Sequence, residues 1–231
     1  MGGRLLLFDI DMTLLETGGA GIYALLTAFR EVFTLPETDE IPLDLAGATD
    51  RGIYREFVAA RGLGDSAPPV EEFFAVYHRH LEINLSSSTD GRALPGAIEL
   101  LESLRRQGQH HPALLTGNTR KGAEAKLVRF GLDSYFHTEQ GAYGDDHHDR
   151  NQLGPIALER VRRATGRAYA GKQVVVIGDT PKDIRCAKTI GAMAVAVATG
   201  KHGREALAKA GADLVLDSLL DPALQDELSL P

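Results

Sequence analysis

The chain has 231 residues, 43% of them apolar and 25% charged, with a formal net charge of −7. That length supports a sizeable core in one or two domains, and the acidic balance excludes a general basic surface for nucleic acid. The single cysteine, Cys186, excludes an internal disulfide framework, no apolar run is long enough to span a bilayer, and the opening residues read as a strand rather than a secretory leader, so the expected setting is the cytoplasm.

Residues 4–8, an arginine followed by three leucines and a phenylalanine, form a run without polar alternation of the kind shown by parallel strands covered on both faces. The run leads straight into Asp9, Ile10, Asp11, Met12 and Thr13. Two carboxylates at the end of a buried strand are costly unless they are paired or hold a cation. Residues 16–88 then break the strand pattern. Ile22, Leu25, Leu26, Phe29 and Phe33 mark one amphipathic helix; Ile53 and Phe57 mark a second, capped by Thr49 or Asp50; Val70, Phe74, Tyr77 and Leu81 mark a third. This predicts a small helical insert, entered through the glycines at 18–21 and left through a polar hinge at 86–91. Beyond it, apolar runs at 113–116, 173–177, 192–198 and 212–216 read as buried strands. Helices are predicted at 95–107, with Ile98, Leu101 and Leu104 on one face, and at 120–130, 152–165 and 181–190. Thr119 and Thr180 stand where caps belong, and Gly108, Gly131, Gly166 and Gly191 follow the helix ends. The alternation predicts an α/β fold: a doubly wound, Rossmann-like parallel sheet core of residues 1–15 and 89–231, with an inserted all-α cap of residues 16–88.

Ligands of such sheets bind at the carboxyl ends of the strands. The first strand ends in Asp9 and Asp11, the second in Thr116-Gly117-Asn118, and a later one in Gly178-Asp179-Thr180-Pro181-Lys182-Asp183, with Arg150 in a polar loop between. Carboxylates gathered at one spot repel each other and shift their pKa values; a hard divalent cation resolves this, and Mg²⁺ suits carboxylate, carbonyl and water ligands beside a phosphate.

Asp9-Ile10-Asp11-Met12-Thr13, Leu115-Thr116-Gly117-Asn118, and Gly178-Asp179 with Asp183 resemble, in order, spacing and strand-end placement, three of the four motifs of the haloacid dehalogenase superfamily. The helical insert after the first motif is similar to that superfamily's cap, and the chain looks most like its phosphoglycolate phosphatases. The resemblance implies a Mg²⁺-dependent phosphatase acting on a small phosphorylated metabolite. Asp9 would be the nucleophile and Asp11 the acid and base. Asp9, the Asp11 backbone carbonyl and Asp179 would hold the metal, with Asp183 orienting its water or a neighbouring cation. Thr116, Gly117 and Asn118 would take the phosphoryl oxygens. The family's third motif usually supplies a lysine; here the stretch 144–153 offers Arg150, with Lys182 a second candidate. A β-phosphoglucomutase-like phosphosugar mutase is the rival within enzymes. A haloacid dehalogenase has less use for Asp11 and Asp179, and a phospho-acceptor signalling module lacks the cap.

Gly47 to Arg51 opens a cap helix, where backbone N–H groups and Arg51 could meet an anionic substrate; an ordinary helix start is the plainer reading. His147 and His148 are adjacent and read as solvated loop residues rather than metal ligands, His110 and His111 as turn residues, and Cys186 as a small packed side chain. No oligomeric state is legible, and neither a membrane nor a nucleic-acid partner is expected.

Overall fold

The structure is a computed structural model, and it describes residues 3–41 and 44–230; Met1, Gly2 and Pro231 of the predicted core, and Pro42 and Leu43 of the predicted cap, lie outside the described residues. Strand β1 (Leu5–Phe8) opens the fold and leads through a turn to the two-residue β2 (Leu15–Glu16). Helices α1 (Ala20–Val32), α2 (Asp50–Ala60) and α3 (Val70–Ser87) follow, and β3 (Arg92–Ala93) returns antiparallel to β2, pairing Leu15 with Ala93. The rest alternates: α4 (Ala97–Gln107), β4 (His111–Leu114), α5 (Arg120–Arg129), α6 (Leu153–Thr165), β5 (Val174–Gly178), α7 (Pro181–Thr189), β6 (Met193–Val197), α8 (Arg204–Ala210), β7 (Leu214–Leu216) and α9 (Pro222–Leu228).

The main sheet has the order β4-β1-β5-β6-β7 and every pairing in it is parallel, as the doubly wound reading requires. β1 is an interior strand between β4 and β5, with Leu5 opposite both His111 and Val174. Its side chains divide by the two-residue period of a strand. Leu6 and Phe8 join a cluster with Leu101, Leu104 and Leu127 of α4 and α5, while Leu5 and Leu7 join Leu153, Val161, Ile184 and Leu207 of α6, α7 and α8 on the other face. Each such fully buried side chain is worth about 1.5–3 kcal/mol, which is what a covered parallel sheet relies on.

Helices α1–α3 carry a third cluster of their own. Its centre is aromatic: the Phe29 ring lies 4.4 Å from that of Phe57 and 4.5 Å from that of Phe73. Thr49 caps α2 by accepting from the Gly52 N–H, so Thr49 rather than Asp50 is the cap. The N-cap of α1 is Gly19, at φ 86°, a conformation that glycine adopts without steric penalty.

Several predicted boundaries move. The second core strand is His111–Leu114, two residues earlier than the apolar run suggested, so His111 is a strand residue and Thr116 lies beyond the strand end. His110 lies in the bend ahead of that strand and is buried, its Nδ1 accepting from the Arg4 N–H and its Nε2 lying 2.9 Å from the Leu228 carbonyl oxygen. Ser86 and Ser87 belong to α3, leaving Ser88–Gly91 as the return. Ile22 and Ile98, predicted on buried faces, are 53% and 45% exposed. Among the described residues no helix is long and apolar enough to cross a membrane.

Candidate active site

The site forms where β1, β4 and β5 end. The chain leaves β1 with the Asp9 N–H still donating to the Ile177 carbonyl at 2.9 Å, then turns sharply: the N–H groups of Leu14 and Leu15 both reach the Ile10 carbonyl. Met12 takes a left-handed conformation, φ 58°, costing about 1 kcal/mol for a residue with a Cβ. The Thr199 hydroxyl donates to the Met12 carbonyl and helps to hold it there. This turn presents Asp9 inward, buried, and leaves the Asp11 side chain 40% exposed.

Asp9, Asp179 and Asp183 each bring a carboxylate oxygen within 4.8 Å of the others, and all three are buried. Burial, with the charges of Asp183 and Asp9 beside it, pushes Asp179 up to about 8; burial pushes Asp9 up to about 6, with Arg150 pulling the other way. Carboxylates so reluctant to ionise mark a place short of positive charge. A hard divalent cation fits it, and Asp9 and Asp179 are the residues able to hold one.

Arg150 supplies one positive charge. Its side chain is 6% exposed, its Nη2 lies 3.1 Å from an Asp9 oxygen and also contacts Asp183 Oδ1, and its Nη1 donates to the Gly47 carbonyl at 3.1 Å. Burial alone would lower its pKa, but the carboxylates of Asp183 and Asp9 outweigh this and hold the guanidinium charged. The other oxygen of Asp183 accepts from the N–H and hydroxyl of Thr180, closing the capping box of α7. Both Asp183 oxygens are thus engaged, one with Arg150 and the other with the start of α7, so Asp183 orients Arg150. Lys182, the rival cation, faces away from this cluster and pairs with Asp44 at 3.1 Å.

On the second strand end Thr116 stands beside Asp9 and favours its ionised form. Asn118 spends its amide donors on Asp11 Oδ2 (2.7 Å) and on Thr116 Oγ1 (2.9 Å). The Gly117 N–H meets no protein acceptor among the described residues. The unspent donor at this strand end is therefore the Gly117 N–H, the Asn118 amide being engaged with Asp11 and Thr116. A residue absent from the sequence-derived set completes this side. Lys126 of α5 is buried, its Nζ 2.6 Å from Asp11 Oδ2 and also donating to Asn118 Oδ1. The available signal was a lysine inside an apolar stripe, beside Ala123 and Leu127 on the buried face of α5.

The insert closes over these groups. The Asp50 N–H donates to the Gly117 carbonyl, its carboxylate accepts from the Thr119 N–H, both at 2.7 Å, and the Thr49 hydroxyl donates to the His148 carbonyl. Burial pushes Asp50 up to about 7 against the pull of Lys126. The cavity left between the helices and the strand ends measures about 870 Å³, and its wall includes Asp9, Asp11, Gly117, Lys126, Arg150 and Asp179. Arg51 stands apart. Its Nε donates to the Asp145 carbonyl, and it lines a separate cavity of about 450 Å³ with His147 and His148, whose rings stack at 4.4 Å. The structure does not bring Arg51 to the carboxylates, because α2 turns it outward. Cys186 is buried and donates to the Arg150 carbonyl, as a packed side chain would.

The family model for haloacid dehalogenase-like hydrolases matches residues 6–197, from the first strand to the last residue of β6. The chain belongs to that family. Within the haloacid dehalogenase-like hydrolases it is similar to a Dickeya dadantii protein named probable phosphatase IndB, at 26% identity over 93% of this chain and 89% of the relative. It is likewise similar to phosphoglycolate phosphatase 1 of Pseudomonas aeruginosa, at 26% identity over 94% of this chain and 78% of that one. In fold it is similar to a solved hydrolase from Pseudomonas syringae, with a TM-score of 0.72, 21% identity and all of both chains covered.

Proposed function

We propose that this haloacid dehalogenase-like hydrolase is a Mg²⁺-dependent phosphatase acting on a small phosphorylated metabolite, with phosphoglycolate-like esters the first substrate class, through an aspartyl-phosphate. The observation that carries the reading is the joint placement of Asp9, beside Asp179 and Arg150, and Asp11, 40% exposed, on one cavity. Residues two apart in an extended segment project the same way, so one carboxylate can attack phosphorus while the other meets the leaving oxygen. Asp9 forms the bond to phosphorus. Asp11 gives a proton to the departing oxygen and takes one from the water that later opens the aspartyl-phosphate. Arg150 and the Gly117 N–H neutralise and orient the phosphoryl oxygens, and Asp183 keeps Arg150 in place. A bound Mg²⁺, held by Asp9 and Asp179, supplies charge neutralisation beside the transferring group. The phosphatase and phosphoglycolate phosphatase names of the relatives support the same class.

The test is phosphate release from a panel of small esters, among them phosphoglycolate and hexose phosphates, with Mg²⁺ and with EDTA. Release that stops in EDTA and returns with Mg²⁺ is expected. Full activity without a metal, or isomerised sugar phosphate formed with no free phosphate, refutes the reading.

A further inference from the structure

Lys126 has no place in the chemistry above, yet it is held deep in the site by two of its residues. Its side chain is 3% exposed. A buried ammonium is costly unless well paired, and an apolar residue would pack as well at that point of the helix. Both hydrogen-bond acceptors of Lys126 belong to the site: Asp11 Oδ2 and Asn118 Oδ1. The remaining carboxylate whose charge acts on that corner is Asp50, at the start of α2. The first turn of α1 closes the corner from the cap side, since a Cβ on Gly21 would lie 3.3 Å from Nζ.

The donors around Asp11 are distributed unevenly. Lys126 Nζ at 2.6 Å and Asn118 Nδ2 at 2.7 Å both meet Oδ2. No protein donor among the described residues meets Oδ1. A half-exposed carboxylate on a short side chain would otherwise turn about its χ angles, and a proton donor works only within hydrogen-bond reach of the oxygen it serves.

We propose that Lys126 is a positioning residue that pins Asp11 through Oδ2, so that Oδ1 is the atom presented to the leaving oxygen. Asn118 is the second pin, and Lys126 fixes Asn118 as well by donating to its Oδ1. The proposal rests on the phosphatase reading, but adds to it a claim about one lysine and one oxygen atom.

A pinned acid matters in proportion to how much the leaving group needs a proton. The experiment therefore compares Lys126→Met with the wild-type protein on two esters. One is p-nitrophenyl phosphate, whose leaving group departs without protonation. The other is phosphoglycolate, or the alkyl phosphate of the panel that the wild-type protein hydrolyses fastest. The expected result, read on leaving-group release in a single turnover, before Asp11 acts as base in the common second step, is a loss of about 100-fold on the alkyl ester, with KM moved little, and of less than about 10-fold on the aryl ester. Lys126→Gln keeps an N–H donor and should recover part of the alkyl activity. Equal losses on both esters, or a wild-type single-turnover rate on the alkyl ester, overturn the proposal. If Lys126→Met does not fold, Lys126→Gln carries the same comparison; failure of both to fold makes Lys126 a structural residue and overturns the proposal too. Absence of hydrolysis of either ester by the wild-type protein refutes the phosphatase reading itself, and the role of Lys126 with it.

Discussion

Replacing Arg150 with methionine tests the electrostatic centre most directly. The substitution keeps much of the buried volume and removes a guanidinium that touches Asp9, Asp183 and the carbonyls of Gly47 and Leu115. Two costs follow. A preorganised charge aimed at a developing oxyanion is worth about 2.7–4 kcal/mol, so kcat should fall by roughly 10²–10³. Breaking a buried pair from one side strands the other charge, so unfolding free energy should fall by about 3–5 kcal/mol in metal-free buffer. The same loss of positive charge leaves Asp9, Asp179 and Asp183 more attractive to a cation, so the Mg²⁺ concentration for half-maximal residual activity should drop. Arg150→Lys keeps the charge but cannot reach all four partners, and should fall between the two. Lys182→Ala removes only a surface pair with Asp44, worth under about 1 kcal/mol, and should be mild. Initial rates across a Mg²⁺ titration, with thermal unfolding of each variant, decide the matter. An Arg150→Met protein retaining more than a tenth of wild-type kcat, or an inactive Lys182→Ala, would show that the cation acts elsewhere.

Stability of the metal-free protein should fall between pH 6.5 and 8. Asp50 and Asp179 keep their protons up to about 7 and about 8 when folded, whereas an unfolded aspartate has lost its proton by pH 5, so rising pH favours the unfolded chain by an amount on the order of 2 kcal/mol across that window. Thermal unfolding in EDTA should show it and Mg²⁺ at pH 8 should cancel it; a higher Tm at pH 8 than at pH 6.5 in EDTA contradicts the assignment. Gly200→Ala would place a Cβ on Asp179 Oδ2, so the variant should need more Mg²⁺ for the same rate while its fold persists; an unchanged Mg²⁺ requirement would mean that Asp179 is not a ligand.

The sheet was legible because its strands are buried on both faces and so read as plain apolar runs. Asp9, Asp11, Thr116, Asp179 and Asp183 could be grouped because they follow the ends of those runs, where a parallel sheet gathers them, whereas Arg150, in a short turn ahead of α6, was reached only as the counterpart of the family's third motif. Lys126 was not, because α5 is recognisable by period but its partners come from residues 11 and 118, and helical periodicity names a buried face without saying what lies against it. Arg51 was misplaced for the same reason in reverse: it begins a helix at the right end of the cavity, but the helix rotation sends it to Asp145. The β2–β3 ribbon is two residues long on each side, too short for any alternation to show, and α8 and α9, at seven residues each, carry too few turns for a period.

That short ribbon has a consequence for how the chain finds its fold. The pairing of β1 with the edge strand β4 joins segments 106 residues apart, as between Arg4 and His110. Pairing of Leu15 with Ala93 bridges most of that distance, and roughly a quarter of the separation then remains to be closed. Loop-closure entropy grows as the logarithm of loop length, so a helical insert that condenses first and zips its own neck lowers the entropic cost of joining β1 to β4 by about 1 kcal/mol. The insert then acts as a clasp rather than an obstacle during assembly, and substitutions that open the neck should slow refolding more than they speed unfolding.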